Sequence, residues 1–71
     1  MRRYLVVAEK TDTGYSAYSP DVPGCAATGR TRAEVRKAMR EAIQFHLDGL
    51  REDRVAPPAP NSYSLYCEIP A

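Results

Sequence analysis

A chain of 71 residues with a formal net charge of +1 is long enough for one small domain, residues 1–71, and has no overall charge excess typical of a nucleic-acid binder. A domain of this size buries only about 60% of the surface of its unfolded chain, so it often depends on a partner or on a second copy of itself. No apolar run approaches the ~20 residues of a membrane span, and no signal-peptide pattern follows Met1-Arg2-Arg3. We therefore expect a cytoplasmic protein without membrane contact.

The first half of the chain predicts three short strands. Arg3–Glu9 is rich in Leu and Val and is apolar on both faces, which indicates a strand buried on both sides. Lys10–Gly14 reads as a hairpin loop, and Tyr15–Ser19 follows as the second strand. Cys25–Thr28 gives a short third strand, which Gly29 stops.

A proline-rich turn joins the second and third strands. Pro20 ends the second strand, because proline cannot donate a ladder hydrogen bond. Pro23 and Gly24 fit the central pair of a type II turn, in which Pro presets its φ and Gly takes the left-handed position. We expect Asp21 to cap this same turn with its side chain.

The start of a helix is well marked. Thr31 is a suitable N-cap, and Glu34 three residues later completes a capping box. The residues that recur at helical spacing along one stripe are Val35, Met39, Ala42, Ile43, His46, Leu47 and Leu50. The pattern predicts a helix from about Arg32 to about Glu52.

The last part of the chain predicts a connector and a fourth strand. Arg54–Asn61 contains three prolines and reads as an extended connector, and Ser62–Glu68 alternates as a strand. The order β-β-β-α-β defines an α+β protein. A right-handed crossover that places the fourth strand beside the first gives a four-stranded mixed sheet of order 3-2-1-4, with one long helix on one face. In this order Cys25 and Cys67 stand roughly 14 Å apart, beyond the ~7 Å limit for a disulfide, and we expect two buried free thiols.

Little in the chain is arranged for catalysis. His46 is the single histidine and lies on the apolar stripe, which favours a core-edge histidine; a Cys–His pair with Cys25 or Cys67 stays open, although no third orienting group is evident. The carboxylates lie mostly in loops or on the polar side of the helix, whereas a two-magnesium site needs several that converge. No glycine-rich phosphate loop is present. We expect no catalytic residue, no metal and no cofactor.

Two surfaces are candidates for binding a partner. A single helix covers only one face of the sheet, and the other face has enough apolar and tyrosine side chains that we expect it to meet a second copy or another protein. The first half of the helix is crowded with cations, which indicates either a solvated face or a docking stripe for an acidic partner or RNA; the lack of interleaved aromatic residues counts against base stacking. The candidate partner-binding residues are Tyr4, Val6, Tyr18, Tyr66, Arg32, Arg36 and Arg40.

The combined order and spacing of these motifs resembles the HicB-like antitoxin family over nearly the whole chain. The matching residues are Pro20, Asp21, Pro23, Gly24, Cys25, Gly29, Thr31 and Glu34, together with Gly14-Tyr15, Glu41-Ala42-Ile43 and the Leu47–Asp53 segment. The sequence departs from the family at Ala38, where Asn is frequent, and at Arg54, where Gly commonly ends the helix.

The resemblance implies a partial ribonuclease H-like fold, a homodimer or higher homo-oligomer, and an antitoxin role. The partner it implies is a small HicA-type toxin, an mRNA-cleaving ribonuclease that the antitoxin binds and neutralises. Family members often have a C-terminal DNA-binding segment; this sequence resembles the short form that ends in a strand, so we do not expect direct DNA binding. The alternative function is a stand-alone regulatory or RNA-binding module that uses the basic helix face.

Overall fold

The computed structural model describes residues 1–71 as three strands followed by one helix. The strands are β1 (Val7–Lys10), β2 (Tyr15–Tyr18) and β3 (Ala26–Gly29), and the helix α1 spans Arg32–Glu52. The strands pair antiparallel in the order β1-β2-β3. The structure is therefore α+β, and the predicted meander and helix are confirmed.

The first hairpin is closed by Thr11 and Gly14. The backbone N–H of Thr11 donates to the Gly14 carbonyl at 2.8 Å, and the Gly14 N–H donates back to the Thr11 hydroxyl at 3.1 Å. This short loop sets the register in which Lys10 faces Tyr15. Hairpin loops of this length determine register because they leave the strand ends no freedom to slip.

The turn between β2 and β3 has the predicted form. Gly24 has a φ of 83°, and the N–H of Cys25 donates to the Val22 carbonyl at 3.2 Å, as the fourth residue of a turn does. The predicted role of Asp21 was wrong. Its carboxylate accepts from the backbone N–H and the hydroxyl of Ser62, at 2.7 and 2.9 Å, so it holds a segment 41 positions along the chain.

Both ends of α1 are capped. The Thr31 hydroxyl accepts from the Glu34 N–H at 3.0 Å, and the Glu34 carboxylate accepts from the Arg30 N–H at 3.4 Å, one residue before the position a capping box uses. At the other end, Arg54 takes the left-handed conformation with a φ of 59°. Val55 and Arg54 donate back to the Leu50 and Arg51 carbonyls, at 2.8 and 3.1 Å, which is a Schellman motif with Arg where Gly is preferred.

The core is small and lies between α1 and the β2–β3 half of the sheet. Its five buried residues are Ala17, Val22, Cys25, Val35 and Met39. Of the predicted apolar stripe, only Val35 and Met39 are fully buried; the residues from Ala42 to Leu50 on that stripe are half-buried. The helix thus packs tightly at its first half and loosely at its second.

Close packing of α1 on β3 depends on Gly29. A Cβ at this position would lie 2.5 Å from the backbone nitrogen of Val35 and 2.9 Å from its Cα. Backbone atoms cannot move aside as a flexible side chain can, so any side chain here would push the helix away from the strand.

The first predicted strand is shorter than expected. Its ladder begins at Val7, because β2 ends at Tyr18 and the chain turns away at Pro20. The Leu5 carbonyl instead accepts a hydrogen bond from the Ser19 hydroxyl at 2.8 Å. Residues 3–6 therefore run beside the sheet without a ladder partner.

The predicted fourth strand, Ser62–Glu68, is absent from the structure. The sheet ends at β1, so the predicted position beside it is empty and the mixed four-stranded sheet of order 3-2-1-4 is not formed. Residues 63–71 are all exposed and do not pair with β1, although that edge of the sheet is free. An alternating sequence alone does not make a strand, because a strand also needs a partner for its backbone hydrogen bonds. Consequently, the pairing that would make the fold resemble ribonuclease H is not seen.

Two glycine substitutions test the packing of α1 with opposite expected signs. Gly29→Ala should lower the free energy of unfolding by about 1 to 3 kcal/mol, because the helix must move. Gly49→Ala should raise it by up to about 1 kcal/mol, because nothing lies within 4 Å of the added Cβ and Ala favours the helix. Urea unfolding followed by circular dichroism measures both. Equal effects of the two variants would contradict the close contact at Gly29.

Candidate partner-binding surfaces

One face of the sheet is left uncovered by α1. The register aligns Ala8, Ala17 and Ala27 on one face, and Ala17 is buried in the core, so the helix lies on that side. The opposite face, called here the open sheet face, contains Val7, Glu9, Ser16, Tyr18, Ala26 and Thr28. Its largest side chain, Tyr18, is 46% exposed, and its only charged residue is Glu9. The open sheet face is thus flat, weakly polar and slightly acidic.

A groove runs between α1 and the β1 side of the sheet, and its rim is cationic. Its floor is apolar, with Tyr4 and Val6 on one side and Ile43 and Leu47 on the other. Nine of the ten Lys and Arg residues line it, all except Arg30: Arg2, Arg3, Lys10, Arg32, Arg36, Lys37, Arg40, Arg51 and Arg54. None of the nine Asp and Glu residues does. We call this surface the cationic groove.

Although the net charge is close to zero, nine cations lie along one groove and all nine acids lie outside it. A whole-chain value of +1 excludes a uniformly basic protein but not a basic groove with acids elsewhere. Arg32, Arg36 and Arg40 repeat every four residues along the groove side of α1, a spacing at which like charges repel. The Arg32 guanidinium lies 5.9 Å from the centre of the Tyr15 ring, within the range of a cation–π contact.

The end of the chain forms a third surface. The Tyr4 hydroxyl donates to the Pro58 carbonyl at 2.7 Å, and Asp21 holds Ser62, so the proline-rich connector is fastened to the domain at two points. Residues 63–71, called here the C-terminal arm, follow Ser62 and are exposed throughout. Tyr66, in the middle of the arm, is 98% exposed and lies at the edge of the cationic groove.

The predicted partner-binding residues separate into two surfaces. Tyr18 lies on the open sheet face, as expected for a residue on the side away from the helix. Tyr4 and Val6 lie on the helix side, packed against the core, and form the groove floor. The three arginines of α1 line the wall of the same groove, and Tyr66 reaches it from the arm. Whether any of them binds a partner stays a prediction.

Three arginines of α1 were predicted from the sequence as a possible binding surface, but not that six further cations line the same groove. Arg51 is eleven residues after Arg40, which is three helical turns, so its place on the same side of α1 was readable from spacing. The contributions of Arg2, Arg3 and Lys10 depend on how the first strand lies beside the helix, and no local pattern shows that.

The residues with chemical reactivity stay apart. No group of three or more His, Cys, Asp or Glu side chains lies together in a way that could hold a metal ion. His46 is half-buried on the apolar stripe of α1.

Both cysteines are free, but the prediction that both are buried was wrong: Cys25 is buried and Cys67, in the arm, is exposed. Burial raises the pKa of the Cys25 thiol, whose Sγ donates to the Ala42 carbonyl at 3.8 Å. No helix has both the length and the apolar character that a membrane crossing requires.

The described residues form a small α+β domain with three exposed surfaces and no cluster of reactive groups, an arrangement common in proteins that bind other macromolecules. Comparison with known families shows to which family the chain belongs. Residues 4–70 match the family described as the HicB_like antitoxin of bacterial toxin-antitoxin systems. The chain belongs to the HicB-like antitoxin family, as its sequence motifs indicated.

The chain is similar to individual curated proteins, one of which is named as an antitoxin. The chain is 39% identical over 67 residues to an uncharacterised 14.9 kDa protein from the rep-hol intergenic region of Haemophilus phage HP1, covering 94% of this chain and 50% of that protein. It is 33% identical over 70 residues to the antitoxin HicB 2 of Photorhabdus laumondii, covering 97% of this chain and 50% of that protein. The chain thus spans half the length of these two relatives.

A solved structure shares the fold. It is a chain of a HicA3 and HicB3 toxin-antitoxin complex, matched with a TM-score of 0.69 and 32% identity over 84% of this chain and 70% of that one. The fold seen here therefore occurs in a chain of a toxin-antitoxin complex.

The two cysteines should differ in reactivity. At about pH 7.5, Cys67 should react with a disulfide reagent such as DTNB at least about tenfold faster than Cys25, because only exposed thiolate attacks. The raised pKa of Cys25 keeps its thiol protonated to higher pH, which slows the reaction of Cys25 further. Mass spectrometry of partly modified protein distinguishes the sites, with equal labelling in denaturant as the control. Equal native rates would contradict the burial of Cys25.

Proposed function

We propose that this protein is a non-catalytic antitoxin that binds a small HicA-type toxin and blocks its activity. The match to the family over residues 4–70 is the observation that carries the proposal. The similarity to a chain from a complex of HicA3 with HicB3 supports it, because a chain of this fold is part of a toxin-antitoxin complex there. A toxin that cleaves mRNA acts where mRNA is present, so the complex would form in the cytoplasm.

The open sheet face is the surface we propose for the toxin. A ribonuclease must attract RNA, so the part of it that an inhibitor covers is expected to be cationic. Electrostatic complementarity then disfavours the cationic groove, because like charges across an interface cost several kcal/mol. The open sheet face has Glu9 and no cation, and Tyr18 supplies the half-exposed aromatic side chain typical of an interface centre.

Co-expression tests the proposal directly. The protein is expressed with the HicA-type toxin encoded next to it, with the toxin alone as the control. Neutralisation should restore growth, and the two proteins should purify together as a stable complex. Failure of both growth rescue and co-purification would overturn the antitoxin function for this chain.

A pair of variants tests the surface. Tyr18→Ala should weaken toxin binding at least about tenfold, because an aromatic residue at the centre of an interface often contributes more than 1 kcal/mol. Phe45→Ala is the matched control: Phe45 is an aromatic residue 82% exposed on α1, away from the open sheet face. Isothermal titration calorimetry measures both affinities, and unchanged thermal unfolding shows that each variant is folded. Weaker binding by Phe45→Ala alone would place the toxin elsewhere.

The cationic groove favours a second candidate function, the binding of RNA. Nine cations without an acid in one groove form an electrostatic footprint suited to a polyanion. Tyr4, Tyr15 and Tyr66 line the same groove and offer ring faces on which bases can stack. This second candidate is the RNA-binding function considered from the sequence, but the surface proposed for it is the whole groove rather than the helix arginines alone.

Salt dependence tests the RNA candidate. Binding of a fluorescent single-stranded RNA of about 12 nucleotides should weaken steeply with salt. Replacing Arg32, Arg36 and Arg40 together by Ala should reduce the slope of log K against log salt by about 2, since each single-strand phosphate contact contributes about 0.7. Arg30→Ala is the matched control, because Arg30 is the one cation outside the groove. Equal slopes for the triple variant and the wild type would exclude this function.

A further inference from the structure

We propose that Arg54 is a phosphate-binding residue at the far end of the cationic groove, where it lengthens the path that the groove offers to single-stranded RNA. This role rests on the RNA-binding candidate function and adds to it one contact and the length of RNA that is bound. The toxin and the open sheet face have no part in it. The backbone conformation of Arg54, the position of its side chain and the row of cations that it extends all support this role.

Arg54 has a backbone conformation that is unfavourable for arginine. It is the only residue other than glycine with a positive φ, 59°, which lies in the left-handed region. In that region the Cβ of an L-residue crowds a carbonyl oxygen of the backbone, whereas glycine has no Cβ to crowd it. The hydrogen bonds of this helix end are donated by the backbone N–H groups of Arg54 and Val55, so glycine at position 54 would form them equally well. The turn itself therefore does not require an arginine.

The charge of Arg54 is also not needed to stabilise the end of α1. A cation in the last turn of a helix interacts favourably with the negative end of the helix dipole, and this effect falls off outside that turn. Arg51 lies in the last turn and already provides such a cation. Arg54 follows the C-cap Asp53 and lies outside the helix. The helix end thus leaves the arginine at position 54 unexplained.

The side chain of Arg54 lies where the cationic groove ends. It is exposed, and it lines the groove together with Arg51 of α1 and with Val55 and Ala56 of the connector. No Asp or Glu lines the groove, so no acid of this chain competes there for the guanidinium. A guanidinium presents its N–H donors as a fork that matches two oxygens of one phosphate. Arg54 is therefore placed to bind a phosphate group at this end.

Arg54 completes a row of cations that follows the whole length of α1. Arg32, Arg36 and Arg40 occupy the first half of the groove wall, and Arg51 lies in the last turn. At about 1.5 Å of rise per residue, the first three arginines span about 12 Å and the row as far as Arg51 spans about 28 Å. A stacked strand rises about 3.4 Å per nucleotide, so these lengths correspond to about four and about eight nucleotides. Arg54 extends the row to about nine nucleotides.

The aromatic rings along the groove favour single-stranded RNA over other polyanions. Tyr4, Tyr15 and Tyr66 line the groove and offer ring faces. Bases can stack on such rings only when they are not already stacked in a duplex. An acidic peptide would meet the cations but has no bases to place on the rings. Single-stranded RNA is the ligand that uses both the cations and the rings.

Substitutions at position 54 separate RNA binding from stability. Arg54→Gly should raise the melting temperature by about 4 °C, because glycine removes the backbone strain. The same change should weaken the binding of a nine-nucleotide RNA at least about threefold and reduce the slope of log K against log salt by about 0.7, the contribution of one phosphate contact. Arg54→Lys keeps the cation and the strain, so it should bind RNA nearly as the wild type does and show no gain in melting temperature.

Gly49→Ala is the stability-matched control. It should also raise the melting temperature, because nothing lies within 4 Å of the added Cβ, but it changes no charge and should leave RNA binding unchanged. Circular dichroism measures the melting temperatures, and fluorescence anisotropy measures binding. A lower melting temperature for Arg54→Gly, or equal RNA binding by this variant and the wild type, would overturn the role of Arg54 while leaving the RNA-binding candidate in place.

The length and chemistry of the probe complete the test. The wild type should bind the nine-nucleotide RNA at least about tenfold more tightly than a four-nucleotide RNA, and Arg54→Gly should reduce this ratio. An oligoglutamate of nine residues has a comparable charge and no bases, so it should bind more weakly than the nine-nucleotide RNA. Equal binding of the oligoglutamate would overturn RNA as the ligand. No RNA binding by the wild type would exclude the RNA-binding candidate and, with it, the role of Arg54.

Discussion

The position of α1 over the β2–β3 half of the sheet controls most features of this molecule. At Gly29 the strand backbone approaches the first turn of the helix so closely that a single added carbon would meet Val35. The N-cap at Thr31 comes two residues later and leaves the helix no freedom to start elsewhere. Because the helix is held at β3, it cannot also cover β1. The groove, the free edge and the small core are three results of the same contact.

This arrangement also explains how a nearly neutral chain acquires a basic surface. One side of α1 lies along the groove beside β1, and this side contains the repeat of Arg32, Arg36 and Arg40. The first residues of the chain and the end of the helix bring further cations to the same place. Their mutual repulsion costs a few tenths of a kcal/mol for each neighbouring pair. A domain of 71 residues has little stability to spare for this cost. A bound anionic group would reduce this repulsion.

The parts of the fold that were predictable are those whose physics lies within a few residues. The type II turn at Gly24, the hairpin at Gly14 and the cap at Thr31 each depend on hydrogen bonds spanning three or four positions, and the sequence shows all three. The role of Asp21 was not predictable, because its partner Ser62 is 41 positions away.

The sequence also shows that side chains alternate between the two faces of the sheet, but it does not show which face the helix covers. Alternation alone puts Tyr18 and Ala17 on opposite faces of β2, as the structure has them, but it does not show that Tyr4 and Val6 lie on the helix side. The fourth strand failed for a different reason. The two-residue period of Ser62–Glu68 shows that the segment can form a strand, but whether it pairs with a distant strand is not determined by its local sequence.

The open sheet face and the cationic groove are separate enough to act at the same time. The open sheet face lies on the side of the sheet away from α1, so a toxin bound there would not contact the groove. The six residues of the open sheet face are absent from the lining of the groove, so the two surfaces share no side chain. A partner on the open sheet face and an anionic ligand in the cationic groove would therefore not compete for the same residues.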